Sequence, residues 1–318
     1  MPKKSIVLPR LIVTSVVRGS QQGDSHGGLY TVDFSKQEVV QHIDWNKSDI
    51  DFTGRGWDRG LRGIEFYKQN IYIAASDELF VYNRFFALQK SFRNPFLKHC
   101  HEISRKDNLL FMTSTGYDSL IVFDLIKERF IWGLYISKNE NVWHCQSFNP
   151  GSETGPPFNN SQHINSVYVD DTGIYLSGLN TKALLHVDKD IKLSEICSLP
   201  AGVHNARPYR DGVLFNDTKS DCIRYVGRDG LEKAFKIPSY NDDELTYAGI
   251  DDSKVARQGF GRGLCPLSEG LIAGGSSPST ISLYDFTSGD LVSSVNLTMD
   301  IRNAIHGLEI WPFMKKDQ

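Results

Sequence analysis

One short phrase returns six times along this chain, and its first position reads Arg62, His101, Asn165, His204, Arg262 and His306. The phrases are R-G-I-E-F, H-E-I-S-R, N-S-V-Y-V, H-N-A-R-P, R-G-L-C-P and H-G-L-E-I, each followed about nine residues after its first position by a second apolar run. A position that only had to pack would carry Val, Ile or Leu. Six cationic, imidazole or amide side chains at one repeated place predict a shared polar axis instead, and a repeat of this kind restricts the fold more than any other property of the sequence.

Within each unit the order is constant: a polar-headed strand, a short turn, an apolar strand, a polar loop, a third strand and a fourth. Runs of four to six β-branched and aromatic residues alternate between Gly, Asn, Asp and Ser turns, as at Ile71, Leu109, Ile174, Val213 and Leu271. No segment shows a sustained helical period. Strands recurring in fours at a period of roughly 40 to 60 residues predict a β-propeller. Five complete units run from Arg62 to about Leu297, and the sixth is split: stretches beginning at Leu11, Gly28 and Val39 supply three strands, and the phrase at His306 supplies the innermost one. The expectation is an all-β, six-bladed β-propeller, one domain over 1–318, with N- and C-terminal strands closing one blade.

The leading positions are 39, 64, 39, 58 and 44 residues apart, so extra chain follows every second blade. The long loops are 46–59, 144–162 and 240–261, on the face where inner strands begin. Long loops on a rigid scaffold commonly carry function.

Charge and apolar content exclude several classes. The formal net charge is −3 with no long run of one sign, which gives no electrostatic footprint for nucleic acid. No apolar segment approaches 18 residues, and Pro9 and Arg10 split the N-terminal apolar stretch short of a signal sequence. A soluble, cytoplasmic protein with no nucleic-acid or membrane partner is expected. The five cysteines show no C-x-x-C spacing and read as reduced, partly buried thiols.

His101, His204 and His306 fall on alternate blades, about 120° apart around a sixfold ring. Three imidazoles converging in this way suit a divalent metal with open positions, zinc first, iron or copper as alternatives. His163 is a fourth candidate ligand. Arg62 and Arg262 flank the His306 blade and suit a bidentate carboxylate or phosphate; Asn165 and Arg207 complete the candidate holders of a small anionic molecule. Arg62, Tyr168 and Glu309 are the candidate catalytic residues, with Glu65 equivalent to Glu309 in register. A histidine opening a strand equally serves as a hydrogen-bonded structural residue, and inner-strand carboxylates equally pair with arginines such as Arg207. Trp57, Trp143 and Phe260 on the long loops either line an apolar lid or pin the loops down.

The segments D-R-G-L-R-G-I-E-F from Asp58, A-A-S-D-E-L-F from Ala74, T-S-T-G-Y-D from Thr113, H-I-N-S-V from His163, H-N-A-R-P from His204 and H-G-L-E from His306 together resemble a family of uncharacterised bacterial propeller proteins, over nearly the whole chain. That resemblance implies a fold and no activity. The site alone is similar to that of peptidyl-hydroxyglycine α-amidating lyase, a six-bladed propeller with a three-histidine zinc, an arginine and a tyrosine. This second resemblance implies His101, His204 and His306 as ligands, Arg62 as the arginine and Tyr168 as the tyrosine. The functional expectation is a metal-dependent lyase or hydrolase for a small anionic substrate; the alternative is a non-catalytic propeller binding a ligand or protein partner.

Overall fold

The structure, a computed structural model, describes residues 8–46, 60–249, 257–267 and 270–313. The chain lays down β1 (Leu11–Val17), β2 (Gly28–Asp33) and β3 (Glu38–Asp44), then β4 (Ile64–Tyr67), β5 (Asn70–Ala75), β6 (Glu78–Asn83) and β7 (Leu88–Arg93). Next come β8 (Ile103–Lys106), β9 (Leu109–Ser114), β10 (Ser119–Asp124), β11 (Arg129–Asn139) and β12 (Val142–Phe148). They are followed by β13 (Ile164–Val169), β14 (Ile174–Gly178), β15 (Ala183–Val187) and β16 (Leu193–Ser198), and by β17 (Val203–Tyr209), β18 (Gly212–Asp217), β19 (Cys222–Gly227) and β20 (Glu232–Lys236). The last are β21 (Leu264–Pro266), β22 (Leu271–Ser276), β23 (Thr280–Asp285), β24 (Leu291–Asn296) and β25 (Asn303–Ile310). They form six antiparallel sheets arranged as a six-bladed β-propeller.

The split blade is as expected. Its order is β25-β1-β2-β3, with Leu11 opposite Ile310 and Val13 opposite Leu308. One blade departs from the four-strand rule: β11 runs for 11 residues and turns back into β12, giving a fifth strand in the order β12-β11-β10-β9-β8. Part of the long loop expected at 144–162 is therefore strand. Trp143 on β12 donates its indole N–H to Glu195 at 3.1 Å and receives Lys138 on its ring at 4.6 Å, which pins the added hairpin to β16. Residues 47–59 of the expected loop 46–59, with Trp57, and part of 240–261 lie outside the described residues.

The turn chemistry explains the regularity of the hairpins. An Asp or Asn closes the third strand in four blades or follows it in a fifth, and its Oδ1 accepts backbone N–H groups of the turn: Lys36 to Asp33, Phe85 and Ala87 to Asn83, Ile126 and Lys127 to Asp124, Asp190 and Lys192 to Asp188, Thr287 and Ser288 to Asp285. The turn then passes through one left-handed residue, Gln37, Phe86, Glu128, Ile191 or Gly289, before the fourth strand begins.

Two compact units make up the chain: Met1–Gly60 with Ile237–Gln318, and Leu61–Lys236. In the second unit β5, β6, β9 and β10 bury both faces, because each sheet packs against neighbours on either side. Tyr72, Leu79 and Val81 meet Leu110, Met112 and Phe123 in one core; Leu120, Val122 and Leu134 meet Val167, Leu176 and Leu185 in the next. The first unit has its own core, where Leu11, Val13 and Val32 join Ala273, Ile281, Leu283, Ile305 and Leu308. Each such side chain contributes about 1.5–3 kcal/mol by leaving water. The fourth strands, such as β7 and β16, are mostly exposed and polar. All five cysteines are free thiols. Among the described residues no helix is long and apolar enough to cross a membrane.

Candidate functional site

Within Leu61–Lys236 the inner strands lie in the order β4, β8, β13, β17, each beside the next. Their leading residues are interior: Arg62 is 2% exposed, Asn165 2% and His204 3%, and His101 is half-buried. In the other unit Arg262 and His306 are 5% and 8% exposed. A polar residue at the head of every inner strand is thus withdrawn from bulk solvent.

The two leading histidines of the larger unit are fixed in the same tautomer. Nδ1 of His101 faces the carbonyl of His99 at 2.7 Å and Oγ1 of Thr115 at 3.0 Å, and the Thr115 hydroxyl already donates to the Ile164 carbonyl at 2.6 Å. Both partners can only accept, so Nδ1 carries the proton. Nδ1 of His204 faces the Gly202 carbonyl at 3.2 Å with the same consequence. In each neutral ring Nε2 then holds the lone pair. His163 stands edge-on to His101 with ring centres 5.4 Å apart. Asp118 sets that position: its carboxylate accepts His163 N–H at 2.7 Å, Gln162 N–H at 2.9 Å and the Ser161 hydroxyl at 3.1 Å, while burial raises its pKa.

Deeper along the strands lies a network centred on Glu102. Its carboxylate accepts Asn205 Nδ2 at 3.0 Å and Val167 N–H at 3.2 Å, and Asn205 Oδ1 accepts Asn216 Nδ2 at 2.9 Å. Desolvation pushes the Glu102 carboxyl up to about 7, against the opposing pull of Asn205 and the positive charge of Arg207. Arg207 lies 4.3 Å over the ring of Tyr168 and also acts on Glu65, whose pKa burial raises. Glu65 accepts Arg105 N–H at 2.8 Å. Glu309, in the other unit, accepts the Cys265 thiol at 3.7 Å. The Cys100 thiol is pushed up to about 12 by burial and is an inert packing group.

The structure therefore brings His101 and His163 together, and Tyr168, Arg207, Glu65 and Glu102 into one electrostatic neighbourhood. Asn165 is held by its own surroundings, its amide donating to Val203 at 3.4 Å and its carbonyl accepting the Ser166 hydroxyl at 3.1 Å. His101 and His204 belong to one compact unit and His306 to the other. Among the described residues no group of three or more His, Cys, Asp or Glu is placed to hold a metal ion. Glu102 and Asn205 were not among the candidates from sequence, although each directly follows a leading histidine.

No protein-family model matches the chain, and no curated protein does. Solved structures do match. A protein of unknown function from Bacteroides caccae superposes with a TM-score of 0.60 at 11% identity, covering 96% of this chain and 100% of that one. A chain of a nidogen/laminin complex superposes with a TM-score of 0.58 at 9% identity, covering 95% and 98%. Virginiamycin B lyase from Staphylococcus aureus matches with a TM-score of 0.47 at 12% identity over 76% of this chain and 71% of that one. At these identities the likeness of the first two shows a shared fold alone.

Proposed function

We propose that the chain is a lyase or hydrolase for a small anionic molecule, moving a proton at the polar inner strands of Leu61–Lys236. One observation carries this reading: Glu102, half-buried and held by Asn205 Nδ2 and Val167 N–H, has its carboxyl pushed up by desolvation to about 7, the range in which a group gives and takes protons at neutral pH. His101 precedes it with Nδ1 as the donor and Nε2 carrying the lone pair, and Arg207 on Tyr168 supplies positive charge for an anion. Arg62 and Asn165 are the further holders of the anion, with Tyr168 as an additional proton carrier; Arg262 and Glu309 belong to the other unit.

His101, His204 and His306, with His163, are the residues that would hold a divalent metal, zinc first. Bound, it would polarise a substrate oxygen. The Nδ1 contacts of His101 and His204 suit ligation through Nε2, but no complete ligand group is assembled among the described residues. The proton chemistry accordingly rests on the chain's own side chains.

The test is a thermal-shift screen of small carboxylates and phosphate esters, followed by mass spectrometry of each stabilising compound after incubation. Conversion by wild type, with a loss of about 10²-fold or more in His101→Ala and Glu102→Gln at retained binding, is the expected result. Compounds that bind and are recovered unchanged from wild type would refute the enzyme. A second reading, a non-catalytic binding propeller, is favoured by the structural work these side chains already perform: Glu65, Glu102, Ser104 and Ser166 each accept a backbone N–H of the adjacent inner strand.

A further inference from the structure

Between the sheet β12-β11-β10-β9-β8 and the sheet β13-β14-β15-β16 the shared core opens into a cleft of about 380 Å³. It lies at the ends of β8 and β13 remote from His101 and Asn165. Its floor is apolar and deep: Phe111, Val122, Val169, Ile174 and Val187 line it, each at most 9% exposed. Half-buried Trp132 adds an indole to the lining, the aromatic ring that attracts cations best. An apolar cavity of this size with its charged groups confined to the rim has the form of a site for a small organic molecule.

The rim carries Lys106, Asp170, Asp171, Asp188 and Lys189. Lys106 bonds to Asp171 from one sheet to the next, which raises the lysine's pKa, and the charges of Asp107 and Asp170 add to the effect. With that pair neutralised, two carboxylates on the rim face one ammonium. Asp170 Oδ1 accepts Thr172 N–H at 2.8 Å, and Asp188 Oδ1 accepts Asp190 N–H and Lys192 N–H, both at 2.9 Å, so each carboxylate is held in place by its own turn. Among the described residues the second oxygen, Oδ2, of neither acid accepts a hydrogen bond. The balance of charge at the mouth suits a cationic head group.

The lip of the cleft holds a strained residue. Ile191 lines it at φ +61° and is 44% exposed. A β-branched side chain in that region crowds its own backbone, and the equivalent turn position of another blade is Gly289. The Ile191 N–H donates to the Asp188 carbonyl at 3.1 Å and its carbonyl accepts the Cys145 thiol at 3.4 Å, so the turn and β12 fix it there. Neither burial nor backbone preference accounts for isoleucine at 191, whereas a wall for an apolar guest does. We propose that this cleft binds a small amphipathic amine, its aromatic or branched aliphatic body between the two sheets against Trp132 and Ile191 and its ammonium at Asp170 and Asp188. The site is separate from the polar inner-strand residues and independent of their reading as an anion site.

Titration calorimetry of 4-phenylbutylamine against the full chain tests it, with 4-phenylbutanoate and 4-phenylbutanol as probes that share the body and differ in the head. Saturable binding is expected, tightest for the amine by about fivefold. The double variant Asp170→Asn/Asp188→Asn should remove that advantage and leave the alcohol's affinity as in wild type. Asparagine keeps the Oδ1 acceptor that each turn needs, as Asn83 does for Phe85 and Ala87. Ile191→Gly, which suits the left-handed conformation, should weaken all three probes about threefold or more. If the double variant fails to fold, Asp188→Asn alone decides. No saturable binding of the amine, binding of the acid or the alcohol as tight as the amine, or full amine affinity in these variants overturns the proposal. His101→Ala and Glu102→Gln should bind the amine as wild type does, so failure of the proton chemistry and failure of this site are read separately.

Discussion

Glu102→Gln changes one charge while keeping the side-chain shape, and its effect on stability should reverse sign with pH. Burial moves the Glu102 carboxyl from an ordinary 4.5 to about 7 in the folded protein. That difference corresponds to about 3 kcal/mol at 1.36 kcal/mol per unit, an upper value because Glu102 is only half-buried by surface area. A raised carboxyl binds its proton more tightly when folded, so its favourable contribution is fully present below 4.5 and is lost as pH rises through 7. Glutamine has no such dependence. It does lose an acceptor, since Asn205 Nδ2 and Val167 N–H now use one carboxylate oxygen each. Asn205 cannot turn its amide over to compensate, because its Oδ1 accepts Asn216 Nδ2 at 2.9 Å. One buried donor left facing an amide NH2 costs about 1–2 kcal/mol. The variant should therefore be less stable than wild type by about 1–2 kcal/mol at pH 5, and equal to it or more stable by a similar amount at pH 8. Urea unfolding midpoints of both proteins between pH 5 and pH 8 measure this. Parallel stability curves would show that Glu102 titrates as an ordinary carboxylate, and the case for it as a proton carrier would fall with them.

Removing β25 by truncation before Asn303 takes Ile305 and Leu308 from the core and leaves the β1 edge open; loss of cooperative thermal unfolding and aggregation on size exclusion are expected, and a monodisperse folded product would contradict the closure argument. Asp118→Ala removes the acceptor of three donors that hold residues 161–163, and should cost about 2–4 kcal/mol in chemical denaturation; a change below about 0.5 kcal/mol would mean that the segment is held by other contacts. The metal-bearing form of the proposal expects stoichiometric zinc, iron or copper in untagged protein, lost in the alanine variants of His101, His204 or His306; metal-free protein that still converts substrate would remove the metal from the mechanism.

The fold was legible because a propeller repeats its signals. The Asp or Asn at or directly after the end of five of the third strands, the apolar second strands and the phrase at His306 are local patterns, and the structure places each where the pattern implies. The added strand β12 was not legible, since Val142–Phe148 alternates exposed and half-buried positions and carries no signal that separates an edge strand from a polar loop. In the candidate site the leading residues were legible as polar positions on the inner strands, but not their partners. The tautomer of His101 depends on Thr115 and Ile164, and the environment of Glu102 depends on Val167 and Asn205, the latter 103 positions away. A repeat period reveals equivalent positions; it does not reveal which side chains meet across blades.

The position just after each leading residue shows why those partners take the form they do. Adjacent inner strands belong to different sheets, so each presents an edge whose N–H groups need acceptors from elsewhere. On β8 and β13 side chains do this work: Glu102 and Ser104 accept from Val167 and Val169, and Ser166 accepts from Asn205 at 2.6 Å. After Arg62 the following residue is glycine, and there the backbones close directly. Gly63 donates its N–H to the His101 carbonyl at 3.1 Å, and a Cβ there would lie 2.7 Å from the Ile103 nitrogen. A serine satisfies such an edge at no electrostatic cost, as Ser104 and Ser166 do. At 102 the chain places a carboxyl whose charge is strongly opposed by its surroundings. Edge satisfaction alone explains an acceptor at 102; it does not explain an acid titrating near neutrality, and that excess over structural need is the physical argument that Glu102 does more than hold two blades together.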